Sequence, residues 1–291
     1  MPVLMGQMFF SQGAWPCTVK CISSSSTLPK SGIFQIAASQ HHSVALVRRA
    51  NNSIELYSWG KRMDNFPEQI VPSARSNNIY QGVPTLVQSL SCGPSSIDHP
   101  TAVVLGPQCT LILTSDGNIF LLGKSGDGLL GLGTSVTYSS VPRKISIPKW
   151  GIITNSDNYN DAAFVTSLSV GLRHASCVTR DGNVYAWGIT YNGILGVSPA
   201  STGESVIWRP QRVKAFDTLE GDGAFRVCAG SDSTIFMMNN GMVYSCGRKS
   251  GRLGQGKMSQ DVWIPKPMFG GLRLWHDREV NTDENRNKNT D

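Results

Sequence analysis

Long apolar runs are missing from this chain, and charged residues are scarce. No run approaches the roughly 20 apolar residues that cross a bilayer, so no membrane span is predicted. The start, MPVLMGQMFFSQG, has neither a basic cluster nor a signal-peptide core, and it lacks the Arg-rich pattern of a mitochondrial presequence. We therefore expect an intracellular protein of the nucleus or cytoplasm, and a presequence lost by processing would leave the mitochondrion open. With 16% charged and 40% hydrophobic residues, the composition is typical of a globular domain whose surface is largely uncharged and polar.

Sequence motifs for catalysis are also absent. There is no G-x-S-x-G nucleophile elbow, no H-E-x-x-H zinc motif and no G-x-x-x-x-G-K-[ST] phosphate loop. The segment 123–128 is rich in glycine, but it stands where a return turn is predicted rather than between a strand and a helix. An enzyme with a side-chain catalytic set is therefore not expected, and no cofactor is predicted.

The cysteines are odd in number and form no paired C-x-x-C pattern. Reduced thiols, mostly buried in strands, are predicted, and no metal site. The seven are Cys17, Cys21, Cys92, Cys109, Cys177, Cys228 and Cys246.

A repeat dominates what the sequence does contain. Three stretches of equal length begin and end in glycine, Gly106 to Gly123, Gly171 to Gly188 and Gly230 to Gly247. They read GPQCTLILTSDGNIFLLG, GLRHASCVTRDGNVYAWG and GSDSTIFMMNNGMVYSCG, so the apolar pairs and the turn align without a gap. A fourth copy runs from Ser39 to Gly60 with four extra residues, which we assign to its turn, and a partial copy is predicted at 1–22.

Each stretch predicts a β-hairpin. Short β-favouring runs flank the pairs Asp116-Gly117, Asp181-Gly182 and Asn240-Gly241, which tolerate the positive φ angles of a two-residue turn. After the closing glycine, three of the copies carry a Gly-x-Leu-Gly return at 128–131, 193–196 and 251–254.

These features resemble the regulator of chromosome condensation repeat family, whose units carry a small-small-Gly-x-x-His-Ser box, a turn, a Trp-Gly and a Gly-x-Leu-Gly. The box stands at 36–43 and, less perfectly, at 168–175, with Ser39 in a glycine position. The resemblance implies an all-β β-propeller in which each unit forms one four-stranded blade. The positions expected to hold the repeat together are His42, Trp59, Gly60, Gly106, Gly123, Gly171, His174, Trp187, Gly188, Gly230 and Gly247. We expect the two histidines to hydrogen-bond buried backbone groups rather than to perform acid–base chemistry.

The array is short for this family, whose propellers generally close with seven blades. One repeat domain is predicted over 1–275, followed by a polar, disordered tail at 276–291. Three arrangements stay open: a compact ring of about five blades, a ring completed by divergent loops, and an open fragment of a longer array. The predicted units lie near 33–90, 91–150, 162–215 and 224–268, with the partial unit at 1–22.

Two groups of residues are candidates for binding a partner. Basic residues follow the closing glycines, so equivalent loops should carry them to one rim of the propeller, although Ile189-Thr190-Tyr191 interrupts the series. Loops that exceed the repeat pattern, at 62–81, 91–101 and 152–161, are the second group. The candidate residues are Lys61, Arg62, Asp64, Lys124, Arg248, Lys249, Arg252, Asp98 and His99.

Two functional classes follow from this interpretation. The first is a scaffold that binds another protein, through that protein's acidic surface or as a small GTPase. A structural subunit of a larger assembly belongs to this class. The alternative, implied by the exchange-factor branch of the family, is a guanine-nucleotide exchange factor for a small GTPase, which needs no covalent chemistry. Direct nucleic-acid binding is not expected, because no aromatic-basic interleaving and no basic N-terminal tail are present.

Overall fold

The computed structural model describes residues 32–61, 80–87, 98–134, 136–149, 162–197, 203–217, 223–257 and 259–268. These residues form sixteen strands and three short 3-10 helices, at Tyr191–Gly193, Lys214–Phe216 and Gly251–Leu253. Within the described ranges, no helix is long and apolar enough to cross a membrane. The strands are β1 Ile33–Ala38, β2 His42–Arg48, β3 Ile54–Lys61, β4 Tyr80–Leu86, β5 Pro100–Leu105, β6 Cys109–Thr114, β7 Ile119–Lys124, β8 Tyr138–Ile145, β9 Val165–Val170, β10 His174–Thr179, β11 Val184–Ile189, β12 Val206–Arg212, β13 Ala224–Ala229, β14 Ser233–Met238, β15 Val243–Gly247 and β16 Val262–Pro267.

Four antiparallel sheets, each of four consecutive strands, make up the fold. The first sheet is β1 to β4, the second β5 to β8, the third β9 to β12 and the fourth β13 to β16. The first strands of neighbouring sheets contact one another, β1 with β5, β5 with β9 and β9 with β13. The first strands therefore lie on the inside and the fourth strands on the perimeter, as in the blades of a β-propeller. The all-β, four-stranded prediction is confirmed; the described sheets are not closed into a ring, and the unit bounds stay a prediction.

The repeated closing glycine has one structural role in all four sheets. It pairs with the residue three places after the opening position: His42 with Gly60, Cys109 with Gly123, His174 with Gly188 and Ser233 with Gly247. All four closing glycines have φ between +112° and +129°. A Cβ at any of them would lie 2.3–2.6 Å from a carbonyl oxygen of the opening loop, so only glycine fits. The next strand pairing is irregular at the same point, which bends the chain into the return loop.

The first sheet carries its extra residues mainly in its strands. β2 and β3 have 7 and 8 residues, whereas β6 and β7 have 6 each. The turn at 49–53 is only one residue longer than the turn at 115–118. The assignment of all four extra residues to the turn is therefore wrong, because three of them lengthen the paired strands.

Buried histidine side chains link neighbouring sheets. His42 Nε2 lies 3.2 Å from Thr110 Oγ1, and His174 Nε2 lies 2.7 Å from Thr234 Oγ1, each across a sheet boundary. These partners are hydroxyl groups, whereas backbone groups were expected. Between the second and third sheets the corresponding positions are Cys109 and Ala175, both fully buried, so an apolar pair substitutes for the histidine–threonine pair.

The hydrogen bonds fix the tautomer of His174. Thr234 Oγ1 donates to the Ile194 carbonyl oxygen at 2.6 Å, and a hydroxyl has one proton, so it must accept from Nε2–H of His174. Nδ1 then carries the lone pair, and no described residue is within hydrogen-bond reach of it. At His42 the unusual Ser39 supplies that partner, since Ser39 Oγ lies 2.9 Å from His42 Nδ1.

The side chain before the closing glycine makes a second link between sheets. Trp187, fully buried, donates its indole N–H to the Leu129 carbonyl oxygen of the preceding return loop at 2.9 Å. Cys246 Sγ makes the equivalent contact with the Ile194 carbonyl oxygen at 3.7 Å. Cys109, Cys177 and Cys246 are buried free thiols, whereas Cys228 on β13 is exposed and departs from the predicted burial.

Replacing Gly188 with alanine tests the close approach at the closing glycine. The added Cβ would lie 2.5 Å from the Arg173 carbonyl oxygen at a φ of +112°, so we expect the free energy of unfolding to fall by at least about 2 kcal/mol in urea denaturation. Gly251→Ala is the matched control, because its added Cβ has no heavy atom within 4 Å. It should stay within about 0.5 kcal/mol of the parent. Equal losses in the two variants would contradict this account.

The buried histidines predict a pH-dependent stability. Burial lowers the pKa of His174 from 6.5 to about 4, and burial together with the nearby charge of His41 does the same for His42. Between these values the unfolded chain binds protons that the folded chain does not. The contribution of the two histidines to the free energy of unfolding is therefore fully present above pH 6.5. For each histidine it should fall by about 1.4 kcal/mol per pH unit as the pH drops towards 4.

Urea midpoints measured across this pH window test the prediction. The double variant His42→Gln/His174→Gln should be less stable at pH 7.5 and should lose most of the slope. His99→Gln, at a half-buried histidine outside the sheets, controls for the loss of a histidine as such. An unchanged slope in the double variant would show that other groups cause the dependence.

Candidate functional site

The strand ends form two rims on opposite sides of the sheets. The return-loop rim carries the opening loops, the closing glycines and the return loops that follow them. The hairpin-turn rim carries the turns at 49–53, 115–118, 180–183 and 239–242 together with the connections between sheets. Functional side chains on either rim are positioned by strands that are packed on neighbouring sheets.

Most of the predicted basic residues lie on the return-loop rim. Lys124 ends β7 and is exposed, and Arg248, Lys249 and Arg252 follow β15 and are exposed too. Lys61 ends β3, while Arg62 and Asp64 lie outside the described residues.

Acidic groups neutralise part of this rim. Arg248 Nη1 lies 4.0 Å from Asp232 Oδ2, and the backbone N–H of Lys249 donates to Asp261 at 2.8 Å. The rim is therefore a mixed surface with more cations than carboxylates among these residues, not a uniformly positive one.

Asp98 and His99 lie on the opposite, hairpin-turn rim. The Asp98 carboxylate accepts hydrogen bonds from the backbone N–H of Asp116 at 3.2 Å and from Asn118 Nδ2 at 2.9 Å. Although burial alone would raise it, these and neighbouring hydrogen bonds lower the pKa of Asp98 below 3.8. Asp98 thus organises the turn between β6 and β7, and the structure does not bring it together with the basic group.

A cluster that the sequence analysis did not select lies between the second and third sheets on the return-loop rim. We call Asp127, Leu172, Arg173 and Tyr191 the Tyr191 cluster. Arg173 donates to Asp127 through Nε at 2.9 Å and through Nη2 at 3.0 Å, and its Cζ lies 5.8 Å from the centre of the Tyr191 ring. The hydrogen bond from Arg173 lowers the pKa of Asp127 below 3.8. Leu172 and Tyr191 are 45% and 55% exposed, so an apolar and aromatic surface stands beside an ordered guanidinium.

The signal for this cluster was present in the repeat alignment. Arg173 occupies the second place after the opening glycine, where the other units have His41, Gln108 and Asp232. Tyr191 belongs to the segment that interrupts the basic series: Ile189 and Thr190 are buried, and only Tyr191 reaches the surface. The interruption is therefore an aromatic element of the rim.

The buried histidines take no part in either rim. His42 is 2% exposed and His174 is fully buried, and both are engaged with threonine hydroxyls. In the part of the chain that the structure describes, no three His, Cys, Asp or Glu side chains are grouped so that they could hold a metal ion.

The sequence of this chain is similar to those of several known proteins. No protein-family model matches the chain. The ultraviolet-B receptor UVR8 of Arabidopsis thaliana is 26% identical over 240 residues, which cover 80% of this chain and 45% of that protein. The regulator of chromosome condensation of Drosophila melanogaster is 26% identical over 166 residues, 56% of this chain and 25% of that protein. The chain spans less than half the length of the curated relatives it matches.

Two solved structures of yeast Prp20 have the same fold. Yeast RCC1 (Prp20) bound to Kap60 superposes with a TM-score of 0.58 at 18% identity, covering 84% of this chain and 51% of that one. Prp20p from Saccharomyces cerevisiae, described with its binding to Gsp1p and histones, gives 0.51 at 17% identity, covering 81% and 63%. With its repeated boxes, its closing glycines and its four-stranded blades, this chain is similar to these proteins in sequence and fold, which supports an assignment to the regulator of chromosome condensation-like repeats.

Proposed function

We propose that this chain is a protein-binding scaffold that receives an acidic surface of its partner on the return-loop rim. The observation that carries the proposal is the Tyr191 cluster, in which an exposed leucine and tyrosine flank an arginine held by Asp127. Tyrosine and arginine dominate the energetic centres of protein interfaces. Because Arg173 is already ordered in the free chain, binding would cost little additional side-chain entropy.

Unpaired charge around the cluster supports an acidic partner. Lys124 lies on the preceding sheet, and Lys249 and Arg252 lie on the following one. None of the three takes part in an ion pair between described residues. Positive charge at the edge of an interface speeds encounter with an acidic surface and adds specificity more than affinity.

Guanine-nucleotide exchange on a small GTPase is the second candidate function. Its support is the family resemblance together with the fold shared with Prp20p, a protein described with its binding to Gsp1p. An exchange factor acts by binding, so the lack of a catalytic set in the described chain is compatible with either class. The scaffold is preferred because its evidence comes from side chains of this chain.

Removing the apolar part of the Tyr191 cluster should weaken partner binding while leaving the fold intact. Leu172→Ser/Tyr191→Ser should weaken the interaction by at least about tenfold, since hot-spot truncations cost roughly 2 kcal/mol or more. Partners recovered on the parent chain by affinity purification and quantitative mass spectrometry would be titrated against each variant by biolayer interferometry. Val141→Ser/Ile264→Ser is the matched control, because both residues are 56% exposed on perimeter strands. Partners that bind both double variants as tightly as the parent would contradict the proposed surface.

A nucleotide-release experiment separates the two functions. As a scaffold, the chain should leave the release of a fluorescent guanine nucleotide from loaded small GTPases at its spontaneous rate. A catalytic amount of the chain that accelerates release from any member of a broad GTPase panel would overturn the preference for a scaffold. If Leu172→Ser/Tyr191→Ser then abolished the acceleration, the same rim would be assigned to the GTPase.

A further inference from the structure

A second recognition site lies on the perimeter, between the second and third sheets. It is a cleft of about 690 Å³ that shares no residue with the Tyr191 cluster. One wall is formed by β12 and by Tyr185 of β11, and the other by residues 133–134 and 148–149 of the second unit. Thr134, Lys149, Glu204 and Arg209 in its lining are exposed, so the cleft is open to solvent along one side.

Two exposed cations line this cleft, together with one carboxylate, Glu204. Arg209 and Lys149 take part in no ion pair between described residues, whereas the nearby Arg212 is paired with Asp217 at 2.8 Å. The guanidinium of Arg209 rests on the second unit, because a Cβ added to Gly133 would lie 3.3 Å from Arg209 Nη2. From this position the guanidinium can donate two parallel hydrogen bonds to a carboxylate in the cleft.

Two aromatic residues line the cleft, and hydrogen bonds join their strands to the second unit. Trp208 lines the cleft half-buried, and its carbonyl oxygen accepts the Gly133 backbone N–H at 3.0 Å, which fastens β12 to the return loop of the second unit. At the other end, Tyr185 Oη donates to the Pro148 carbonyl oxygen at 2.6 Å. Both walls are therefore fixed before any ligand arrives, and Trp208 lines the same cleft as Arg209 and Lys149.

We propose that this perimeter cleft binds an acidic peptide segment of a partner protein, with carboxylates at Arg209 and Lys149 and an apolar side chain against Trp208. Charge complementarity to the two cations favours a negatively charged ligand. The open side of the cleft leaves room for a peptide segment that continues at both ends. Glu204, also in the lining, disfavours a carboxylate at its own end of the cleft and so favours one orientation of the segment. The site does not depend on the proposed function of the return-loop rim.

Selection from a random dodecapeptide phage library tests the proposal. Phage would be selected on the full chain and counter-selected on the Lys149→Glu/Arg209→Glu variant. Enriched peptides should be rich in Asp and Glu and contain an aromatic or aliphatic residue. Synthetic versions, measured by fluorescence polarisation, should bind Arg209→Glu at least about tenfold more weakly than the parent. Thermal unfolding of each variant would verify that the fold is retained.

Lys266→Glu is the matched control for these measurements. Lys266 is an exposed lysine on β16, the perimeter strand of the fourth sheet. Lys266→Glu therefore makes the same change of charge as Arg209→Glu, but outside the perimeter cleft. It should leave peptide affinity unchanged. Enriched peptides without an excess of acidic residues, or equal losses in Arg209→Glu and Lys266→Glu, would overturn the proposal. Competition by inorganic phosphate at a concentration near that of the peptide would also overturn it, because the site would then recognise a simple anion.

Discussion

The close approach of the opening loop to the closing glycine determines the geometry of every sheet. A carbonyl oxygen of the opening loop occupies the space where a Cβ would stand, at Gly60, Gly123, Gly188 and Gly247 alike. That contact fixes the register of the second and third strands, and the irregular pairing beside it sends the chain into the return loop. The return loops then meet the neighbouring sheet, so both rims and the links between sheets follow from a backbone contact that excludes side chains.

The links between sheets tolerate exchange of residues provided that both partners change. His42 and His174 each contact a threonine hydroxyl, whereas the buried residues Cys109 and Ala175 occupy the equivalent positions at the boundary of the second and third sheets. A histidine facing an alanine would leave a buried donor without a partner, which costs more than the hydrogen bond contributes. A degenerate repeat is therefore compatible with an intact interface, because each residue has to fit its partner on the neighbouring sheet and need not match the repeat pattern.

Much of the fold could be predicted from the sequence because its causes are local. Glycines at fixed spacing and Asp-Gly or Asn-Gly turns specify hairpins within one unit, and the resemblance supplies the fourth strand. The site was less predictable because its causes cross unit boundaries. Arg173 looks like a variable loop residue until Asp127 of the preceding unit is placed beside it, and Asp98 looks like a surface acid until the turn at 115–118 folds around it. No sequence pattern indicates the perimeter cleft, since Lys149 and Arg209 are 60 residues apart and line the same cleft only because the sheets pack together.

Burial differs along the array in a way that explains where ordered surfaces arise. In the third sheet every residue of β10 and β11 is buried, whereas in the fourth sheet β14 alternates between buried and half-buried residues. The third sheet packs against the second and the fourth, so its rim and perimeter side chains are held by neighbours on two sides. The junction of the second and third sheets combines the Trp187 and Gly133 links with the Asp127–Arg173 ion pair. Recognition needs side chains whose positions are fixed before binding, so both proposed surfaces lie at this junction for the same physical reason.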